Sequence, residues 1–489
     1  MPRSGRSRRH PFVVLTILWC SVAAFVWWAL HNTDLGRPTG FFPSNFWSSG
    51  GFSWKQTKKE KFRILHIVTT LRLYDNGQRG TTDGSDRLAK VLLPCLSLFL
   101  QSIRQQQPKW EVDVYIILGE SKLESHRRKL IEDSLPPGVG LQIWVDAMPL
   151  HYDYNNGQIT PASHALARQH RFVIRDKLNE YDFFSAWEDD MAITANHIEY
   201  FVHMTNQIES IRKSLQKQQQ QVGYSFTPDN PKTFHGPMHA DQLERVVPGF
   251  IRVEVLSDGS TSQPVLDPIS IAPDTPSIHA DICCSSTSSS SSSSTSKPAL
   301  LQLADNVVLW ETSIEAIGVR QFPEPIGWAG LLIGIQPADN KNATIGSFWS
   351  GEDGAFGEGV TRPGRKGEMM AQQAGFMATR AQIDLFQNKC PGGFLPPFDS
   401  DFWNGNGGLK PQNVEFWSGG YQLFGRCFLQ RIVSLDPPKF SRQLLFHSAN
   451  NKQRTIDVQR MVKANNLLGQ MHTVRNNATK HLEESLSKK

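Results

Sequence analysis

The chain is poor in cysteine, with six in 489 residues. Cys20 lies in an apolar N-terminal stretch, so five remain, and an odd number leaves at least one unpaired or bonded to another chain. Cys390 and Cys427 could pair, whereas Cys283 and Cys284 border a low-complexity segment and suit a disulfide framework poorly. No spacing between the cysteines resembles a zinc site.

Two further absences argue against classes of ligand. The net charge is only +5, much of it from an N-terminal basic cluster, and no basic stripe indicates binding to nucleic acid. No Gly-x-Gly-x-x-Gly motif follows the first predicted strand, which argues against a nicotinamide-type dinucleotide fold. The chain does hold 13 Trp and 28 Phe, enough for a sizeable core, and its length predicts roughly two or three domains.

Residues 12–30 carry no charged side chain and approach the ~20 residues needed to span a bilayer. Basic residues cluster before this run, at Arg3, Arg6, Arg8 and Arg9. This bias predicts a cytosolic tail at 1–11, a transmembrane signal anchor at 12–30, a stem at 31–60 and a luminal body. A cleaved signal peptide is the alternative, but no small-x-small site follows the run. The triplets at Asn342 and Asn477 are N-glycosylation acceptors and support a luminal location weakly.

From residue 61 onward, strand and helix patterns alternate. Apolar runs predict strands at 62–70, 112–118, 141–145 and 181–187. Helices are predicted between them at 83–106, 121–135 and 161–180, the first kinked at Pro94. Three strand–helix repeats closed by a fourth strand predict an α/β fold with a mostly parallel sheet, flanking helices and right-handed crossovers.

The fourth predicted strand ends in three consecutive acids, Glu188, Asp189 and Asp190. Adjacent carboxylates raise one another's pKa unless a cation neutralises them, and a divalent metal with oxygen ligands, Mg²⁺ or Mn²⁺, is the simplest cation. Ligands of open α/β sheets bind beyond the carboxyl ends of the strands, where these acids would lie. The alternative is an acidic lead-in to a helix predicted at 196–221, which the helix dipole would favour.

The second half is less regular. A strand is predicted at 246–255, closing a first half at 61–255, and a strand leading into a helix at 373–383. Residues 256–300 are rich in Ser and Thr and predict a disordered insertion. In the half at 301–450, segments 394–403 and 414–424 combine aromatics with acids, a composition suited to sugar-binding loops. Residues 451–489 predict a peripheral helix or tail.

Five features together resemble a Golgi-type glycosyltransferase of the GT-A fold. They are a short basic tail, one anchor, a stem, an alternating α/β half and a strand that ends in Glu-Asp-Asp. The resemblance implies that Asp190 coordinates Mn²⁺ or Mg²⁺ on the donor diphosphate and that Asp189 assists through the metal or the ribose. It implies that Glu188 faces the nucleotide, and that His447 supplies a late metal ligand. A lone histidine is more often structural.

The resemblance also implies a nucleotide site beside the acids. Thr69, Thr70 and Arg72, at the end of the first strand, would contact the base, although loop polar groups explain them equally well. His170 or Arg171 could reach the nucleotide or diphosphate, because arginine suits phosphate, and an exposed basic helix face is the alternative.

An inverting transferase needs a carboxylate that deprotonates the acceptor hydroxyl. Glu415 is the first candidate, with Asp399 and Asp401 as rivals; each could instead have a surface or turn role. The sequence therefore predicts a Golgi or endoplasmic reticulum enzyme that moves a hexosyl or N-acetylhexosaminyl group from a nucleotide-sugar to a glycan, protein or lipid. Two alternatives are a luminal metal-dependent hydrolase and a non-catalytic, glycan-binding membrane protein on a transferase-like fold.

Overall fold

A computed structural model describes residues 61–71, 86–153, 158–161, 163–222, 240–244, 246–255, 307–310, 318–322, 326–332, 374–389, 394–395, 430–436, 441–448 and 461–488. The predicted tail, anchor and stem at 1–60 lie outside these residues, as does the Ser/Thr-rich segment at 256–300. Among the described residues, no helix combines the length and apolar character needed to cross a membrane.

The strands and helices are numbered along the chain within the described residues. The strands are β1 (Phe62–Thr70), β2 (Trp110–Leu118), β3 (Gly140–Trp144), β4 (Leu150–Asp153), β5 (Gln158–Pro161), β6 (Phe183–Glu188), β7 (Met191–Ala192), β8 (Val246–Pro248), β9 (Ile251–Val255), β10 (Val307–Trp310), β11 (Gly318–Gln321), β12 (Trp328–Leu332), β13 (Gly375–Thr379), β14 (Gln430–Ser434), β15 (Leu444–His447) and β16 (Met461–Lys463). The α-helices are α1 (Leu93–Gln106), α2 (Ser125–Ser134), α3 (His170–Lys177), α4 (Ala195–Val222), α5 (Ala240–Leu243), α6 (Arg380–Lys389) and α7 (Ala464–Ser487).

The central sheet has the order β13-β6-β1-β2-β3. β1, β2, β3 and β6 run parallel, and β13 pairs antiparallel with β6. Because the strands run parallel, their carboxyl ends share one edge: Thr69 of β1 lies beside Glu188 of β6. This edge carries the acids that follow β6.

β1, β6 and β13 of the central sheet are buried on both faces, as is usual for strands covered by helices, whereas the edge strand β3 is partly exposed. Side chains alternate across β1, so Ile64 packs in one apolar cluster with Phe99 of α1. Leu65 and Ile67 pack in a second cluster with Ile174 of α3. β1 therefore reads as a continuous apolar run rather than an alternating one.

A second sheet, ordered β16-β10-β9-β15-β7, meets the central one at the acids. β7 begins at Met191, directly after Asp190, and pairs antiparallel with β15, so that Met191 lies beside His447. β15 runs parallel to β9 and places His447 beside Glu254. A third sheet, β11-β12-β14-β8, and the hairpin β4-β5 complete the described strands.

The predicted α/β class is confirmed, but the sheets are mixed rather than mostly parallel throughout. In the central sheet only the β13–β6 pairing is antiparallel, whereas the second and third sheets each combine parallel and antiparallel pairs. The single strand predicted at 246–255 is two strands in different sheets. The break lies at Gly249, whose backbone N–H donates to the carbonyl of Ile432.

Two predicted helices also differ from the structure. A π-helical turn, Leu88–Leu92, runs directly into α1, so Pro94 lies in the first turn of α1, at the junction of the two helical forms. The helix predicted over 161–180 is a 3₁₀ helix, Ser163–Gln169, followed by α3. At the C-terminus a polar helix is present as α7, and one of its faces adds Leu467, Leu468 and Met471 to the first apolar cluster.

Candidate functional site

Glu188 ends β6, and Asp189 and Asp190 form the turn to β7; backbone hydrogen bonds hold Glu188 and Asp189. The N–H of Glu188 donates to the carbonyl of Ala374 at 2.9 Å, and the N–H of Asp189 donates to the carbonyl of Thr69 at 3.2 Å. The acids are thus tied to the residue before β13 on one side and to β1 on the other. Ala374 has φ of 62°, a strained value for a residue with a side chain, at the point where this bond is made.

Asp189 is almost fully enclosed, and both of its carboxylate oxygens accept hydrogen bonds. Arg87 donates through Nε to Oδ2 at 3.0 Å and through Nη2 to Oδ1 at 2.6 Å. The hydroxyl of Thr70 donates to Oδ2 at 2.6 Å. A bidentate guanidinium is among the strongest partners of a carboxylate, so in this arrangement Asp189 offers no unused oxygen to a metal.

Asp190 differs because one of its oxygens is unused. Its Oδ2 accepts from Arg87 Nη2 at 3.1 Å and lies 2.9 Å from His447 Nε2. Its Oδ1 is buried and has no hydrogen-bond partner among the residues that the structure describes. The Ser448 backbone N–H and hydroxyl both donate to the Asp190 carbonyl, at 2.8 and 3.0 Å, and hold the acid in place. Burial alone would raise the pKa of Asp190, but the charges of His447, Arg87 and Arg252 outweigh it and hold the pKa below its usual value.

His447 bridges Asp190 and a fourth carboxylate. Its Nδ1 lies 2.7 Å from Glu254 Oε2, while Nε2 lies 2.9 Å from Asp190. Arg252 donates to the other oxygen of Glu254 through Nε at 3.1 Å. Burial and the charge of Arg252 lower the pKa of His447, but the two carboxylates outweigh them and raise it to about 9. At neutral pH the ring is therefore an imidazolium that donates on both sides.

The buried charges nearly balance. Glu188, Asp189, Asp190 and Glu254 face two guanidiniums, Arg87 and Arg252, and the His447 imidazolium. Burial and the charge of Asp190 raise the pKa of Glu188 to about 7, against the opposing influence of Arg252 and His447. The Glu188 carboxyl is therefore partly protonated near neutral pH. The cation that adjacent acids require is supplied here by the protein itself.

The same residues also suit a divalent metal, with one limit. In the described part of the chain, no three His, Cys, Asp or Glu side chains form a ready-made metal group. Asp190 Oδ1, however, is a buried acceptor without a partner, which costs free energy unless a ligand or water binds it. His447 has its Nδ1 against a carboxylate, as metal-binding histidines usually do. Asp190 and His447 fit two positions of a site completed by water and substrate oxygens.

The other residues predicted to bind the donor are placed as follows. Thr69 ends β1 beside Glu188. His170 and Arg171 are not on an exposed basic face: they are 3% and 1% exposed, and their side chains lie against Phe376 and Phe394. Burial and the charge of Arg171 hold the pKa of His170 well below its usual value, so its ring is neutral. The predicted residues Arg72, Asp399, Asp401 and Glu415 lie outside the described residues.

Three residues of the site were not predicted from the sequence: Arg87, Arg252 and Glu254. Arg252 and Glu254 are two residues apart on an apolar strand, so their side chains share one face. Opposite charges in such positions of a buried strand indicate an internal ion pair. Arg87 has no such signal, because an arginine at a helix start is common on protein surfaces. Of the residues predicted as metal ligands, the structure brings Asp189, Asp190 and His447 together.

A scan against models of protein families finds no match to this chain, and neither a search of curated proteins nor one of solved structures finds a match. Its function is therefore inferred from the residues and geometry of this site.

Proposed function

We propose that the chain is a metal-dependent glycosyltransferase of the Golgi or endoplasmic reticulum membrane, with a GT-A-like fold. It would move a sugar from a nucleotide-sugar donor to a glycan, protein or lipid. The observation that carries the proposal is the pairing of Asp190, at the end of a central strand, with His447 from the far end of the chain, next to an unused carboxylate oxygen. Parallel α/β sheets bind ligands at this edge.

Asp190, through Oδ1, and His447, through Nε2, would hold Mn²⁺ or Mg²⁺. Glu254 would accept a hydrogen bond from Nδ1–H of His447, and the imidazolium would release its Nε2 proton when metal binds, which leaves Nε2 as the ligand; Arg252 fixes Glu254. The bound metal would neutralise the charge that develops on the departing nucleoside diphosphate. Asp189, held by Arg87 and Thr70, would position the turn, and Thr69 and Glu188 would face the nucleotide from the same edge. A carboxylate among Glu415, Asp399 and Asp401 stays the predicted base for the acceptor hydroxyl.

A test uses the full-length protein in detergent, screened against nucleotide-sugar donors for release of the nucleoside diphosphate with and without Mn²⁺. We expect Mn²⁺-dependent release from one donor. Asp190→Asn keeps the shape of the side chain but removes its charge, and should lower the rate by ~100-fold or more. Glu111→Gln, an exposed acid of β2, serves as the matched control and should keep the wild-type rate. Folded protein that neither binds nor turns over any donor, with Mn²⁺ or Mg²⁺, would refute the proposal.

One observation favours a second candidate, a non-catalytic glycan-binding protein. Arg87, Arg252 and His447 already offset most of the negative charge of the acids, so the acids do not depend on a metal as their only source of positive charge. Glycan binding that persists in EDTA, together with no turnover of any donor, would support this second candidate. Donor turnover that EDTA abolishes would exclude it.

A further inference from the structure

Arg87 has a fixed backbone and a side chain directed into the acids. The preceding residue, Asp86, accepts the backbone N–H of Leu88 at 3.0 Å and pairs with Arg127 Nη2 at 2.9 Å. Leu88 begins the π-helical turn before α1. The contacts of Asp86 therefore hold the backbone next to Arg87, and the Arg87 side chain, which extends to the acids, is only 10% exposed.

Arg87 donates three hydrogen bonds to the two aspartates, and their unequal distribution bears on metal binding. Two of them form a fork on Asp189, at 3.0 and 2.6 Å, and the third, at 3.1 Å, reaches Asp190 Oδ2. The fork uses both oxygens of Asp189, whereas Asp190 keeps Oδ1 unpartnered. A metal that binds Asp190 would thus stand close to the guanidinium and would be repelled by it.

We propose that Arg87 is an internal counter-cation that competes with the divalent metal and so sets the metal affinity of the site. The inference rests on the proposed metal site of Asp190 and His447. In the absence of metal, the positive charge of Arg87 offsets the charges of Asp189 and Asp190. Because Arg87 occupies both oxygens of Asp189, Asp190 is the member of this pair that can bind a metal. When metal binds, Arg87 yields its weaker contact to Asp190 and keeps the fork on Asp189.

If Arg87 competes with the metal, removing it should change the metal affinity in the opposite direction from that expected if Arg87 only supports the site. If Arg87 only supported the site, its removal would disorder the acids and weaken metal binding. As a competitor, its removal should strengthen metal binding, because the attraction between two carboxylates and the metal is no longer offset by a neighbouring cation. Lysine retains the charge but lacks the planar fork, so Arg87→Lys should give an intermediate affinity.

The experiment measures the dissociation constant of Mn²⁺ for the full-length protein in detergent, from the electron paramagnetic resonance signal of free Mn²⁺. Arg87→Gln should bind Mn²⁺ about tenfold more tightly than wild type, and Arg87→Lys should lie between them. Arg104→Gln removes an exposed arginine of α1 that donates to the carbonyl of Pro137, and should match wild type. Near-ultraviolet circular dichroism checks that each variant is folded.

The outcomes separate the two proposals. Unchanged or weaker Mn²⁺ binding in folded Arg87→Gln, while wild type binds, overturns the role of Arg87 and leaves the metal-dependent enzyme standing. If Arg87→Gln does not fold, Arg87→Lys decides by the same criterion. Mn²⁺ binding by Arg87→Gln alone supports the competing role but counts against a metal-dependent wild-type enzyme. Absence of binding in wild type and in every folded variant overturns both.

Discussion

Removing the carboxylate of Glu254 tests whether the buried ions depend on one another. Glu254 is 1% exposed and holds two cations, Arg252 on Oε1 at 3.1 Å and His447 on Oε2 at 2.7 Å. Glu254→Ala would leave both cations buried beside Asp190 and Glu188 alone. Breaking a buried ion pair by removing one partner typically costs about 3–5 kcal/mol, because the remaining charge has lost both its solvent and its counter-ion. We therefore expect Glu254→Ala to lower the free energy of unfolding by about 3–5 kcal/mol.

The assay is urea-induced unfolding followed by tryptophan fluorescence at pH 7. The matched control is Glu111→Ala, whose pair with Lys61 at 2.6 Å has side chains 47% and 63% exposed. An exposed pair contributes about 0–1 kcal/mol, so the control should lose little. Glu254→Gln keeps a hydrogen-bond acceptor for His447 and should fall between the two. A loss for Glu254→Ala no larger than that of Glu111→Ala would refute the claim that this carboxylate neutralises the buried cations.

Two further predictions concern the central sheet. His66 is buried with its ring stacked on Phe99, and burial lowers its pKa to about 3, so it stays neutral in the fold but charges in the unfolded chain below its ordinary pKa of about 6.5. The stability that neutral His66 contributes is fully present above pH 6.5 and falls as the pH falls, by about 2 kcal/mol at pH 5. His66→Phe should therefore reduce the difference in the free energy of unfolding between pH 7 and pH 5 by about 2 kcal/mol. An unchanged difference would contradict a neutral, buried His66. A methyl group added at Gly375 would meet the carbonyl oxygen of Ala186 on β6, so Gly375→Ala should lower the urea midpoint by the equivalent of about 1–3 kcal/mol. Gly469→Ala, in open space on α7, should instead raise it by about 0.5–1 kcal/mol, and the same sign for both would be inconsistent with the close approach of β13 and β6.

Local pattern was sufficient to predict the four parallel strands of the central sheet. The strand predicted at 62–70 matches β1, and β2, β3 and β6 lie within two residues of their predicted bounds. β1 and β6 are buried on both faces, so each is a short, nearly continuous apolar run, while β2 and β3 keep enough apolar residues to stand out from the polar helices around them. Alternation with helices then predicts parallel pairing, because a crossover helix returns the chain to the same end of the sheet.

Pairing between distant segments was not accessible to the same reasoning. The sequence at 373–383 indicates a strand that leads into a helix, and β13 and α6 are there, but nothing local says that β13 lies antiparallel beside β6. Likewise, the run at 246–255 is apolar throughout, and its division into β8 and β9 follows from a hydrogen bond to Ile432, far along the chain. Such choices depend on which partner strand is free to pair, which a single sequence does not state.

In the candidate site, likewise, the need for positive charge can be seen in local sequence, but the residues that provide the charge are distant in the chain. Three adjacent acids at a buried strand end require positive charge, and that requirement is visible in residues 188–190 alone. In the structure the charge comes from Arg87, which precedes the π-helical turn, from Arg252 of β9 and from His447 of β15. A protein that only needed a stable strand end could have replaced the acids with uncharged residues, since buried ion clusters are seldom more stable than apolar packing of the same volume. Four carboxylates, with Asp190 Oδ1 unpartnered among the described residues, thus need an explanation other than stability, and the metal site proposed above would supply one.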